Sequence, residues 1–171
     1  MARQVQITGT GQLIELSRRL KAAGGPRLKA NMQRRIRRAA EPLKDDLQQT
    51  IRGLPIRSEG RKTGSRGGPS PTTRPLRAMI AAAVRISVRT GASPGARVWV
   101  DKDRLPSDLR NMASVMNRAD GRIRHPVFGN RRRWANNWTT PLWWDKTVAR
   151  HTPRMQRQVA EVLKDVKNSL G

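Results

Sequence analysis

The sequence predicts an α+β fold, and three observations predict it. Between Arg27 and Arg52, apolar residues recur at helical spacing. Between Val84 and Asp101, two runs alternate apolar and polar residues, and from Met155 onward a second helical stripe follows. A chain of 171 residues suits one domain, 1–171, with an extended basic loop or arm at 53–75.

Taken in order, Val5-Gln6-Ile7 alternates as a short strand does, and 8–11 should turn the chain. Leu13, Ile14, Leu16 and Leu20 predict a helix over 12–23, ended by Gly24-Gly25-Pro26. The long helix follows. Leu28, Met32, Ile36, Leu43, Leu47 and Ile51 share one face, and Ala39 and Ala40 fill the gap between them. Pro42 lies inside it and should bend it near Arg38. Its other face carries Lys29, Arg34, Arg35, Arg37, Arg38 and Lys44.

The segment 53–75 is rich in Gly, Pro, Ser, Thr and Arg, with Leu54 and Ile56 as its apolar residues besides proline. It reads as an arm that acts at an interface and orders on assembly. A short helix is expected over 76–83. Val84, Ile86 and Val88 then alternate with Arg85, Ser87 and Arg89; after a turn at 90–95, Ala96, Val98 and Val100 alternate with Arg97, Trp99 and Asp101. The two runs predict an antiparallel hairpin. Ser107 suits the N-cap of a helix over 108–117, ended by Asp120-Gly121. The stretch 121–141 reads as irregular, and a short helix is expected over 142–149. Thr152-Pro153 then predicts a fresh helix start, with Thr as N-cap and Pro at the first helical position. Met155, Val159, Leu163, Val166 and Leu170 form the apolar stripe of that last helix.

Charge dominates the composition. The chain has 36 Lys+Arg against 12 Asp+Glu, a formal net charge of +24. Self-repulsion on that scale opposes a compact monomer unless a polyanion or an acidic protein compensates it. At 36% hydrophobic residues the core must be modest, so subunit contacts are expected to add burial. There are no cysteines, which excludes disulfides, thiolate nucleophiles and cysteine-ligated zinc. The stretch 1–10 is polar and lacks the apolar region of a secretory leader, and no run approaches a membrane span.

Catalysis is not expected, and neither a cofactor nor a metal. His125 and His151 stand far apart without a ligand pattern around them. Asp45-Asp46 is expected to balance basic neighbours, and Asp101 with Asp103 to end a strand. Gly64-Ser65-Arg66-Gly67-Gly68 is glycine-rich but does not sit between a strand and a helix, as a phosphate cradle would.

Two groups of residues remain as candidates for contact. Arg34, Arg35, Arg37 and Arg38 on the long helix, with Arg57, Arg61, Lys62, Arg66 and Arg74 along the arm, are placed to meet DNA or an acidic partner. Loosely spaced cations suffice to neutralise phosphates, and no sequence-reading motif accompanies them. Phe128, Trp134, Trp138, Trp143 and Trp144 form an aromatic cluster, expected in the core and at a subunit interface rather than stacked on bases.

That cluster carries a resemblance. His125-Pro126-Val127-Phe128-Gly129-Asn130, then Trp134, then Pro141-Leu142-Trp143-Trp144 and a terminal helix, resembles the tail-completion or neck family of long-tailed bacteriophages, a minor tail protein group. The order of the elements is similar too, from the N-terminal strand and long helix through Thr63-Gly64 in the loop to the hairpin. The extra basic length between Leu54 and Pro75 departs from the family pattern. The resemblance implies a small antiparallel β-sheet packed on a long N-terminal helix and a C-terminal helix. It implies a homo-oligomeric ring, a hexamer by expectation, at the head–tail neck of a virion assembled in the host cytoplasm. Its neighbours would be a head-closure or adaptor protein on one side and a tail terminator or tail tube protein on the other. Viral DNA or the tape-measure protein would pass through the lumen. The rival expectation is a stand-alone basic nucleic-acid-binding protein; an enzyme acting on nucleic acid has the least support.

Overall fold

The computed structural model of the chain describes residues 4–8, 18, 26–58, 75–90, 95–127 and 130–168. Of the expected helix 12–23, Arg18 lies among them and is helical; the turns around 9–11 and 91–94, the arm residues 59–74, Phe128 and Leu170 lie outside. The elements are β1 (Gln4–Thr8), α1 (Pro26–Gly53), β2 (Ile56–Ser58), α2 (Leu76–Ala83), β3 (Val84–Arg89), β4 (Gly95–Val100), α3 (Met112–Met116), β5 (Arg122–Val127), β6 (Asn130–Thr139) and α4 (Trp143–Asn168). The fold is α+β: α1 and α4 pack together with small antiparallel sheets.

Helix α1 is the centre of the molecule. Met32, Ile36, Ala39, Ala40, Leu43, Leu47 and Ile51 are all buried, as the helical spacing predicts. This stripe meets α2, α4, β3 and β4. Helix α4 runs antiparallel to it. Arg35 near the start of α1 bonds Asp165 near the end of α4 at 2.5 Å, and Asp46 further along α1 meets Arg150 and His151 nearer the start of α4, at 2.9 and 2.7 Å. Asp46 therefore compensates charge on α4, while Asp45 pairs with Lys44 on its own helix.

The predicted hairpin forms as β3 and β4. Val84 faces Val100, Ile86 faces Val98, and Val88 faces Ala96. Val84, Ala96, Val98 and Val100 are buried, as period-two alternation requires of one sheet face. Strand β1 joins the far side of β4, giving the order β1-β4-β3. Asp101 follows β4 directly; its Oδ1 accepts from the Asp103 backbone N–H, and its carboxylate meets Arg104.

Four expectations need correction. Residues 53–58 do not belong to a loose arm: Gly53 ends α1, Leu54 is buried, and 56–58 form β2. Arg77 of α2 fixes this exit by donating to the Leu54 carbonyl at 2.8 Å. The helix over 108–117 is a single 3-10 turn at Ser107–Leu109 followed by the short α3, and Ser107 caps nothing because Pro106 occupies the position before that turn. The stretch 121–141 is regular over most of its length: β5 and β6 make a second hairpin, with β2 on its far edge in the order β2-β6-β5. Finally, the two helices expected at 142–149 and from Thr152 are one. Pro153 lies inside α4 on the exposed side, and the Thr152 hydroxyl donates back to the Val148 carbonyl instead of capping. The buried side of α4 passes Pro153 without a break, through Trp144, Thr147, Met155 and Val162.

Candidate interaction surface

The second sheet has one buried face and one open face. Ile123 and Thr139 are buried on the inner side. Residues two apart on a strand share a face, so Trp134, Asn136 and Trp138 of β6 stand together on the other side. Register brings Arg57 and Arg122 to either side of Trp138, and Arg124 opposite Asn136. Directly and diagonally opposed positions lie within reach of long side chains. The Arg122 Cζ lies 6.0 Å from the centroid of the Trp138 ring, and the Arg124 Cζ 4.5 Å from that of Trp134. Asn136 Oδ1 accepts from both Nε and Nη2 of Arg122, at 3.0 and 2.9 Å. The Trp134 indole N–H donates to the Arg131 carbonyl at 2.7 Å. Arginine and tryptophan thus alternate across the open face, and the Arg122 and Trp134 side chains are tied to fixed partners.

Charge on this sheet is of one sign. Arg57, Arg122, Arg124, Arg131, Arg132 and Arg133 lie on it, and neither 56–58 nor 122–139 contains a carboxylate. All six are exposed, and among the described residues the side chains of Arg57, Arg124, Arg131, Arg132 and Arg133 make no hydrogen bond or ion pair. Four acidic groups are engaged elsewhere, Asp46 and Asp165 between the helices and Asp101 and Asp103 in the turns after β4. Asp120 stands at the entrance to β5. The Arg122 backbone N–H donates to it at 3.0 Å, and with the Arg118 guanidinium beside it this holds its carboxyl below the ordinary value.

The residues singled out from the sequence separate into distinct places. Arg34, Arg37 and Arg38 are exposed on α1 away from its buried stripe, while Arg35 is drawn to Asp165. At about 1.5 Å per residue, Arg38 lies roughly 22 Å of helix before the end of α1, so this patch is remote from Arg57 along the chain axis. Arg61, Lys62, Arg66 and Arg74 lie outside the described residues, as does Phe128. The aromatic cluster divides. Trp143 and Trp144 are in the core, 2% and 3% exposed, with their rings edge to face at 5.7 Å. Trp134 and Trp138 are 44% and 43% exposed and are no part of the core. The physical reason is the register: both sit on the outward parity of β6, whereas the other two start α4 and are buried.

Sequence reasoning missed Arg122 and Arg124 as partners of the tryptophans, and the Arg131-Arg132-Arg133 run as further cations of their sheet. The signal was present as period two, Arg122-x-Arg124 against Trp134-x-Asn136-x-Trp138, once 121–141 is read as strands. His151 is half-buried, its Nε2 2.7 Å from an Asp46 carboxylate oxygen. Among the described residues no group of three His, Cys, Asp or Glu could hold a metal ion. No helix among them is long and apolar enough to cross a membrane. A cleft lined by Val100, Lys102, Arg110, Ala113, Ser114 and Trp144 holds about 10 Å³, room for one water.

Fold and surface together define an α+β protein with an open, arginine- and tryptophan-bearing sheet face. No family model, no curated protein and no solved structure matches the chain.

Proposed function

We propose that the chain is a structural virion protein of the head-to-tail interface of a long-tailed bacteriophage, a tail-completion or neck subunit without catalytic activity. Copies form a ring, six-fold by the family resemblance, that joins the head connector to the tail tube around the DNA channel. A head-closure or adaptor protein and a tail terminator or tail tube protein are its neighbours.

The observation that carries this reading is the open face of the second sheet. Two large tryptophans are left half in water beside uncompensated arginines. Trp and Arg together are the residues on which protein interfaces concentrate their binding energy. A subunit that completes its burial and its charge balance only in an assembly is expected to present such a face. The exposed Arg34, Arg37 and Arg38 on α1 supply a second contact, to neighbours or to the genome. The order of strand, long helix, hairpin, tryptophan-bearing segment and terminal helix supports the same reading.

Mass spectrometry of purified particles should find a few copies per virion, and imaging should locate them in a symmetric ring. Abundance in infected cells combined with absence from particles would sink the proposal. One observation favours a second reading, a stand-alone nucleic-acid binder: exposed aromatic rings on a basic sheet can stack on bases. That reading requires tight binding of DNA by the isolated chain with a steep salt slope.

A further inference from the structure

We infer that the open face of the second sheet is a docking site for an acidic protein segment, whose Asp or Glu carboxylates are taken by Arg122, Arg124 and Arg57 beside the Trp134 and Trp138 rings. The inference rests on the assembly reading and names the chemistry of one partner in it.

Three features favour carboxylates over a nucleic-acid strand. First, the rings are already in use. Arg124 lies 4.5 Å from the centroid of Trp134, so its guanidinium already covers one face of that ring, and Arg122 approaches Trp138 at 6.0 Å, the outer reach of the same contact. Second, every cation of this sheet is an arginine; 56–58 and 122–139 contain no lysine. Backbone neutralisation works with either cation as a point charge. A planar fork that pairs bidentately and loses water readily is what an interfacial carboxylate needs. Third, the guanidinium of Arg122 is held before any ligand arrives, since Nε and Nη2 both donate to Asn136. Its remaining hydrogens are left for a ligand at a lower ordering cost. The tryptophans then exclude water from the ion pairs, which strengthens them. Charge complementarity is one-sided on the chain, because the sheet supplies no carboxylate of its own.

The chain can be tested directly with two probes of matched charge, an oligoglutamate of about twenty residues and a duplex of about ten base pairs. The informative variant keeps every charge: Arg122→Lys with Arg124→Lys. A control variant, Arg37→Lys with Arg38→Lys, makes the same exchange on α1. The sheet variant should weaken oligoglutamate binding about tenfold or more, equivalent to about 1.4 kcal/mol, while the α1 variant and the duplex affinity of both stay within about twofold. Circular dichroism checks that both variants fold. If the sheet variant does not, the indole N–H resonances of the wild-type chain decide, since those of Trp134 and Trp138 should shift with oligoglutamate before those of Trp143 and Trp144.

Equal weakening by both variants, or by neither, overturns the inference in favour of diffuse charge attraction. Duplex binding that the sheet variant weakens and the α1 variant does not overturns it in favour of a nucleic-acid surface. These outcomes do not depend on finding the chain in particles. Its absence there would sink the neck assignment alone, and a failed titration with the chain present in the ring would sink this contact alone.

Discussion

Asn117 performs a capping role from outside the helix it caps. Leu142 stands at the N-cap of α4 with a positive φ of 53°, and its carbonyl accepts from Lys146. A leucine has no side-chain acceptor for the next N–H groups. Asn117, fully buried, accepts from the Trp144 N–H at 2.6 Å and donates to the Asp145 carboxylate at 2.7 Å. It thus caps one N–H of the first turn of α4 and holds the Asp145 side chain of the same turn, across the join between α3 and α4. Gly121 shapes the same join. Its φ is +63°, and a Cβ there would lie 2.4 Å from the Thr139 carbonyl oxygen, so the entry to β5 requires a glycine. Asn117→Ala leaves a buried N–H without its acceptor. It should cost about 1–3 kcal/mol in urea unfolding, with the transition still cooperative. An unchanged midpoint would show that the Trp144 N–H finds another partner.

At the scale of elements, α4 shows a packed face overriding a local signal. Pro153 has no N–H to give the Ala149 carbonyl, and a proline within a helix is strongly disfavoured. The helix continues because Thr147 and Met155 on its inner side are buried against the rest of the fold, while the proline ring faces outward. Pro153→Ala should therefore stabilise the chain, by about 1–3 kcal/mol, since it restores a helical hydrogen bond without touching the buried face. A raised urea midpoint at unchanged helix content checks this; a lowered one would show that packing needs the bend. The same contest marks where the sequence was legible. The stripe of α1 and the β3–β4 alternation were plain because each pattern spans several turns or pairs, and on α1 the stripe is long enough to outweigh its one contrary residue, Pro42. The start of α4 was misread because Thr152-Pro153 is a strong local start signal, and no local pattern shows what packs against the helix. The β5–β6 hairpin was missed because its apolar and polar residues do not alternate: its open face carries tryptophans where polar residues are expected, and Pro126 interrupts β5. The candidate surface followed that error. Its residues were visible one by one, but their proximity is a property of register, which pairs positions 57, 122 and 138 across the fold.

At the scale of the molecule, charge sets the terms of stability. With 36 basic against 12 acidic side chains, cations outnumber anions threefold. Several of those anions are already within salt-bridge distance of a specific cation, as at Arg35–Asp165 and Asp46–Arg150. Salt acts on both sides of this balance. It weakens exposed pairs, each worth about 0–1 kcal/mol, and it screens repulsion among the uncompensated cations, with a Debye length falling from about 10 Å at 0.1 M to about 3 Å at 1 M. The pairs are short-ranged and limited by 12 anions, whereas the repulsion is summed over a net charge of +24, so relief of repulsion is the larger effect. Raising sodium chloride from about 0.05 to 0.5 M should therefore raise the melting temperature of the isolated chain. Relief of about 1–2 kcal/mol corresponds to roughly 3–6 °C for a chain of this size. Calorimetry at several salt concentrations measures it, and a falling melting temperature would mean that the pairs between α1 and α4 outweigh the repulsion. The same reasoning applies to assembly. In the ring proposed above, identical copies would multiply the repulsion, so isolated rings should form more readily at high salt than at low, and the proposed acidic partner on the open sheet face should relieve the same repulsion without added salt.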